Sequence, residues 1–371
     1  MLVLVIINVN YGSSLNNYGR HNFNREKMLE IDGSKKSGSG TILRLSIALA
    51  AIKQEPLHIY NIRHSRRQSG LRPQHLESVI TAAKLCNAET EGVKLGSREL
   101  WFKPKCIING EVRAEIGTAG SISMLLLTVL PICVHAKGKV SVNVINGGTD
   151  VRYAPTINYM KYVLLPVLER MGLKSSLTVK RFGYYPKGMG EVTLNVNSVS
   201  NLKPLCIEDF GEIEEIKGVS VCTFLERQRV AERQAKAATD SLRGHGYDSK
   251  IRVVNDHSNT FQRGSSLVLW AKTNKGAILG GDAIGKLRKS SEAVGKEAAE
   301  NLIREIKAYA TVDTHLADIL VPYIGLAEGN SAYMTHKITD HIDTNIWLTE
   351  KILDVKIQVT KAGNNYRIEK K

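Results

Sequence analysis

The chain has 371 residues, with 51 lysines and arginines against 36 aspartates and glutamates, a formal net charge of +15 with histidines neutral. That length can bury a large core, and that charge favours a polyanionic partner, nucleic acid first, because clustered cations release counterions from a phosphate backbone. Aromatic residues make up only 6%, which argues against a broad base-stacking sheet platform.

The apolar start over residues 1–9 has no basic leader and is too short to span a bilayer, and no later run reaches membrane length. The chain is therefore expected to have no membrane association. Residues 1–27 are expected to be a disordered extension, with Met28 as an alternative start. The cysteines at 86, 106, 133, 206 and 222 form no CxxC pair and no zinc spacing, the usage of a reduced, cytoplasmic protein.

From residue 41 the periodicity predicts a helix with Ile42, Leu45, Leu49 and Ile52 on one face, then a strand over 57–62. A helix opening at Pro73 follows, and then two short strands near 91–103. The order returns with a helix over 121–134, a strand over 139–145, a helix over 155–171 and strands near 175–181 and 190–196. A third copy has a helix over 314–326, a strand over 332–338, a helix over 343–353 and strands near 355–360 and 365–369. The expected fold class is thus α/β (α+β), with three repeated helix-strand-helix-strand-strand units around a shared centre. Residues 28–206 hold the first two repeats and 308–371 the third. Residues 207–307 read as an inserted small α/β domain, with strands at 219–224, 250–255 and 266–273 and helices at 231–242 and 291–308.

Glycines and arginines crowd the turns of the first copy. Gly38 and Gly40 let the backbone approach a ligand where the helix near Thr41 offers free N–H groups and a positive dipole end. Arg63, Arg66, Arg67 and Arg72 add forked donors that match phosphate oxygens. The plain alternative is a flexible loop beside a solvated basic face. Because the repeat aligns its turns, IRHSRRQSGLR, NGGTDVRYAP and HKITDHIDTN become candidates to converge on one site. In the last of them His341 is flanked by Asp340 and Asp343, carboxylates suited to orient one imidazole nitrogen and free the other as nucleophile or base. His315 and Asp318, three apart at a helix start, share one face and suit either a metal or nucleotide contact or a simple charge pair. Neither HExxH nor a Walker phosphate loop occurs.

Taken in order, DGSKKSGSGTILR, IRHSRRQSGLRPQHL, GTAGS with LLTVLP, GGTD with AP, GYYPKGMGEV, VAERQA, HLAD and ITDHIDTNIW resemble the RNA 3′-terminal phosphate cyclase family. The resemblance runs from Leu29 almost to the C-terminus. It implies three units resembling the C-terminal domain of initiation factor three, with a smaller inserted domain. It also implies an enzyme that uses ATP and a divalent cation, Mg2+ or Mn2+, to adenylylate a histidine. The AMP then passes to an RNA 3′-phosphate, and the vicinal 2′-hydroxyl closes a 2′,3′-cyclic phosphate. The matching histidine is His341. Arg44, Arg63, Arg66 and Gln74 are implied to hold the RNA phosphate or the triphosphate, and Pro155 and Asp318 to lie beside the adenylate.

The chain departs from the family pattern on the ATP side. Ser37 stands where a glutamate is usual, beside the added Lys35 and Lys36, and Leu127 and Ile319 each replace a glutamine. Either the nucleotide site is re-formed, with Asp313 or Asp340 standing in for the carboxylate, or ATP chemistry is lost and RNA binding kept, as in a cyclase-like branch serving ribosome assembly. The retained His341 favours the enzyme. Enolpyruvyl transferases, built on similar repeats, would leave the charge unexplained. Oligomeric state stays open, a homodimer being one reading.

Overall fold

Apolar residues at every second position build strands such as 140–147 and 190–197, and apolar runs build the helices 40–53, 122–134 and 314–326, while the helices 230–243 and 291–307 are amphipathic. The computed structural model describes residues 28–371, so the extension expected over residues 1–27 lies outside the described residues. The first unit runs β1 (Leu29–Asp32), α1 (Gly40–Lys53), β2 (Leu57–Tyr60), α2 (Pro73–Leu85), β3 (Glu89–Glu91) and β4 (Leu100–Lys103). The second runs β5 (Gly110–Glu115), α3 (Ile122–Val134), β6 (Val140–Gly147), a composite helix, β7 (Lys174–Arg181) and β8 (Gly190–Asn197). The composite helix joins α4 (Ile157–Tyr159), a π-helical turn (Met160–Leu164) and α5 (Leu165–Arg170).

The third unit opens on β9 (Cys206–Ile207) and leaves its own sheet at once. The chain then makes β10 (Ile213–Thr223), α6 (Val230–Arg243), β11 (Lys250–Asp256), β12 (Gly264–Thr273), β13 (Ile278–Ile284) and α7 (Ser291–Lys307). It returns through α8 (Thr314–Leu326), β14 (Ser331–Thr335), α9 (Asp340–Leu353), β15 (Ile357–Ala362) and β16 (Asn365–Lys370).

Three sheets share one order, β1-β2-β4-β3, β5-β6-β8-β7 and β9-β14-β16-β15. In each, the first two strands are parallel and the other pairings antiparallel. Each unit therefore opens on a short strand that the repeat pattern did not reveal, pairing across the first helix as parallel strands must. Ile207 belongs to such a strand, through its pairing with Tyr333, rather than to the insertion. The fourth sheet, β11-β10-β12-β13, is backed by α6 and α7.

Burial explains the layering. Val140, Val142 and Val144 on β6 turn inward, and so do Val192, Leu194 and Val196 on β8. The register sets Val142 against Leu194 and Val144 against Val192. Helix α1 buries Ile42, Leu43, Ile47, Leu49 and its alanines on nearly every side and packs against α2, α3 and α9. It is the central helix. Strand β13 escapes sequence reading because Gly280 and Gly281 look like a turn. In the fold a Cβ at Gly280 would lie 2.5 Å from the Tyr159 ring and one at Gly281 2.5 Å from Leu302 N, so the glycines admit helices to both faces. No helix among the described residues is long and apolar enough to cross a membrane.

Candidate active site

The repeated topology aims helix N-termini at one place. A cavity of about 970 Å³ is lined by Ser39 and Thr41 of α1, Gln74 of α2, Ser121 of α3, His315 of α8 and His341 of α9, each a cap or first-turn residue. Converging positive dipole ends make such a cavity an anion site before any charged side chain is counted. Arg44, Arg63 and Arg66 line the same wall. Arg67 and Arg72, suggested by the sequence, are exposed and outside the lining.

His341 sits in the first turn of α9 rather than in the turn before it, because Thr339 caps the helix by accepting from Ile342 N at 3.2 Å. Its Nδ1 lies 3.1 Å from Thr41 Oγ1, which also accepts from Arg44 Nη2 at 3.3 Å. The flanking carboxylates do not orient the ring as expected. Asp343 pairs with Lys36 Nζ at 2.9 Å, and the hydrogen bond to the imidazole comes from Thr41. Burial, then Arg44 and Arg66, hold the imidazole below its ordinary pKa, with Asp340 opposing and His315 adding to the depression. In the tautomer whose Nδ1–H donates to Thr41 Oγ1, which already accepts from Arg44, the neutral ring presents the Nε2 lone pair.

Burial pulls Arg44 down to about 10, with Asp318 opposing and Arg63 and Arg66 adding to the effect, so it stays charged at neutral pH. Arg63 takes a left-handed backbone, φ 57°, and its Nη1 donates to Gln68 O at 2.7 Å and Gly70 O at 2.8 Å. Its loop is thereby held in shape around the guanidinium. Gln74 Oε1 accepts from Ser121 N at 2.7 Å, tying α2 to α3 and leaving only its amide nitrogen to donate.

His75, not singled out from the sequence, lines the cavity at 4% exposure with Nδ1 unpaired. A Cβ at Gly40 would lie 2.3 Å from its Nε2 and 2.9 Å from Arg44 Nη1, so glycine is required there by close approach. Burial, then Arg44, Arg63 and Arg72, push the His75 pKa to about 2. The unfolded chain therefore takes up a proton that the folded chain refuses. Stability is full above the unfolded pKa of 6.5 and falls as pH drops below it. The expected loss is about 2 kcal/mol between roughly pH 7.5 and 5. Denaturant titrations of the wild type and of His75→Gln check it; equal pH slopes would exclude a buried neutral His75.

Gly38 lies outside the lining. It adopts φ 54°, and a Cβ there would meet Ser65 Oγ at 2.0 Å, so it shapes the turn from below. Gly40, Pro155, His315 and Asp318 do line the cavity. Asn345 Nδ2 donates to Asp318 Oδ1 and to its backbone oxygen, and burial lifts the carboxyl to about 6 against Arg44 and His315.

The family model for RNA 3′-terminal phosphate cyclase matches residues 35–359. The chain belongs to this cyclase family. Relatives named RNA 3′-terminal phosphate cyclase include that of Pyrobaculum aerophilum, 43% identical over 341 residues that cover 92% of this chain and 97% of the relative. Those of Methanopyrus kandleri and Methanosarcina barkeri are 39% and 42% identical, each over 92% of this chain and over 98% and 99% of the relative. Among solved structures, the enolpyruvyl transferase NikO from Streptomyces tendae matches with a TM-score of 0.26 and 11% identity, over 92% of this chain and 65% of that one. A score that low carries no argument.

On the side where this cyclase-family chain departs from the pattern, Leu127 and Ile319 line the cavity with Pro131 and Pro322, giving it an apolar wall from α3 and α8. Ser37 N donates to Thr344 Oγ1 at 3.2 Å and its hydroxyl lies 3.0 Å from Ser39 Oγ, so the glycine turn is fastened to α9. Ser37, Asp340 and His341 border a smaller recess of about 420 Å³. Asp313 is no stand-in carboxylate. Its oxygens accept from Tyr159 OH, Gly280 N, His315 N and Leu316 N. Among the described residues no three His, Cys, Asp or Glu side chains gather as a metal site.

Thr41, Arg152, Tyr153, Lys286 and Lys289 also line the cavity. Arg152 and Tyr153 lie in a motif already marked as a turn, and Thr41 at a helix start already marked as an anion site. The lysines sit in GKLRKS, outside the repeat, where alignment of equivalent turns gives no signal.

Proposed function

We propose that this chain uses ATP to convert an RNA 3′-terminal phosphate into a 2′,3′-cyclic phosphate, with His341 as the carrier of AMP. The observation that supports this most is the His341 imidazole, its Nδ1 3.1 Å from Thr41 Oγ1, at the meeting point of the helix N-termini and three arginines. Nε2 would attack the α-phosphorus and expel pyrophosphate. An RNA 3′-phosphate oxygen would then take the adenylyl group and free the histidine. Attack by the 2′-oxygen on the activated phosphate would expel AMP, with alignment doing most of the work. Arg44, Arg63 and Arg66 would hold phosphate oxygens and offset charge as it shifts between them.

The residues suit a nucleoside triphosphate. The apolar wall of Leu127, Ile319 and Pro322 with Pro155 accommodates a base, and the cationic wall accommodates phosphates. They do not fit a resident divalent cation, so no step is assigned to a protein-held metal. Mg2+ or Mn2+ would arrive on the triphosphate.

The test is an oligoribonucleotide with a 3′-phosphate, incubated with ATP and Mg2+ or Mn2+ and then treated with phosphatase. A phosphatase-resistant end is expected. An end that stays fully sensitive with every metal and nucleotide overturns the reading; RNA binding that persists in that case assigns a catalytically silent RNA-binding protein.

A further inference from the structure

Two loops at the cavity carry exposed side chains that the chemistry above leaves unused. The first, between β6 and α4, presents Arg152 and Tyr153; the second, between β13 and α7, presents Lys286, Leu287 and Arg288. Tyr153 is 95% exposed and Leu287 96%, the highest values for large apolar side chains among the described residues. Both loops reach the same cavity, through Arg152 and Tyr153 on one side and Lys286 and Lys289 on the other.

Each tip also keeps a backbone that its residue disfavours. Tyr153 has φ 64° and Arg288 φ 65°, the left-handed region that suits glycine. Strain held at an exposed tip together with a fully presented side chain marks a surface shaped for contact. The charges agree. Among the described residues Arg152, Lys286 and Arg288 make no ion pair, whereas of the two carboxylates on the β13–α7 side of the cavity Glu297 is paired with Lys289 and Asp282 accepts from Thr156 N at 2.8 Å.

We propose that these two tips form a binding track for single-stranded RNA, taking the nucleotides immediately 5′ of the end that enters the cavity. An exposed tyrosine ring stacks on a base of any identity, a leucine covers its edge, and unpaired cations meet the backbone phosphates. The occupant is a single strand, because unstacked bases are what a lone aromatic tip can engage. The tips lie on loops from two different sheets, so the track spans the mouth and sets a minimum length of substrate. The inference rests on the proposed function for the direction of the strand.

The test compares a pentaribonucleotide ending in 3′-phosphate with a nucleoside 3′-phosphate, by fluorescence competition with wild type, Tyr153→Gly, Tyr153→Phe and Leu287→Ala. Glycine suits φ 64°, so Tyr153→Gly removes the ring without adding strain. The pentamer is expected to bind the wild type at least tenfold tighter than the mononucleotide, roughly one stacked base. Tyr153→Gly should erase about that factor for the pentamer, weaken the mononucleotide by a much smaller factor, and be rescued by Tyr153→Phe. Lys286→Gln combined with Arg288→Gln should lower the salt slope of pentamer binding by roughly 1.4. Equal affinity for the two ligands, or a pentamer affinity indifferent to Tyr153→Gly, overturns the track. Equal wild-type affinity for the pentamer and for the same pentamer ending in 3′-hydroxyl, run in the same competition, with length dependence intact, overturns the cyclase reading instead and leaves the track supported.

Discussion

Replacement of His341 by alanine is expected to abolish transfer of label from ATP labelled at the α-phosphate to the protein, by about a thousandfold or more. In the wild type the label should be lost in acid and kept in alkali, as a phosphoramidate is. The size of the effect follows from geometry. His341 is the imidazole whose Nδ1 meets Thr41 Oγ1 and whose pKa burial, Arg44 and Arg66 lower, whereas His75 is walled in by Gly40 and Arg44. Its depressed pKa has a sign that can be read in the same assay. The nucleophile should stay deprotonated below the ordinary histidine value of 6.5, so the labelling rate should hold through mild acid and fall only beneath that range. Label retained in His341→Ala would move the chemistry to another residue.

The second large effect concerns stability. Asp313 is 1% exposed and receives hydrogen bonds from Tyr159 OH at 2.7 Å, Gly280 N at 2.8 Å, His315 N at 2.9 Å and Leu316 N at 3.0 Å. One carboxylate therefore joins the composite helix, β13 of the inserted sheet and the start of α8. Asp313→Ala would orphan several buried donors at about 1–3 kcal/mol each, for a net loss near 4 kcal/mol. Tyr159→Phe, which removes one donor, should cost about 1 kcal/mol. Urea titration measures both. A loss under about 1 kcal/mol for Asp313→Ala would mean that water or a shifted backbone satisfies those donors.

Much of this architecture was legible before any coordinates. Helices α1, α3 and α8 announce themselves as long apolar runs, and their recurrence gave the threefold order. The parallel opening strands were not legible: β9 has two residues, and β5 reads as a charged loop because only Val112 and Ala114 turn inward. Strand β13 was hidden by glycines whose purpose is tight packing against Tyr159 and Leu302. At the site, His341, Arg63 and Arg66 stood out because their motifs fall in aligned turns, whereas Arg44, inside α1, was marked only by the family resemblance. The partner of His341 did not, since the adjacent aspartates were the obvious candidates and Thr41 is far away in the chain. Asp313 misled for a related reason: a carboxylate near a site looks available until its hydrogen bonds are counted. Tyr153 and Leu287 matter through their exposure, which no spacing reports.

The fastening of the glycine turn to α9 has a consequence for how the protein comes into being. Thr41 and His341 are separated by 300 residues, and Lys36 and Asp343 by 307. A ribosome delivers the first arginine wall long before it delivers the imidazole. Until the last unit docks on α1, the emerging chain displays cationic loops with no reactive centre, and only closure of its longest-range contacts joins the two. Under the proposed chemistry, chains cut anywhere before α9 would carry the arginines without the imidazole, so competence would await the docking of the last unit on α1.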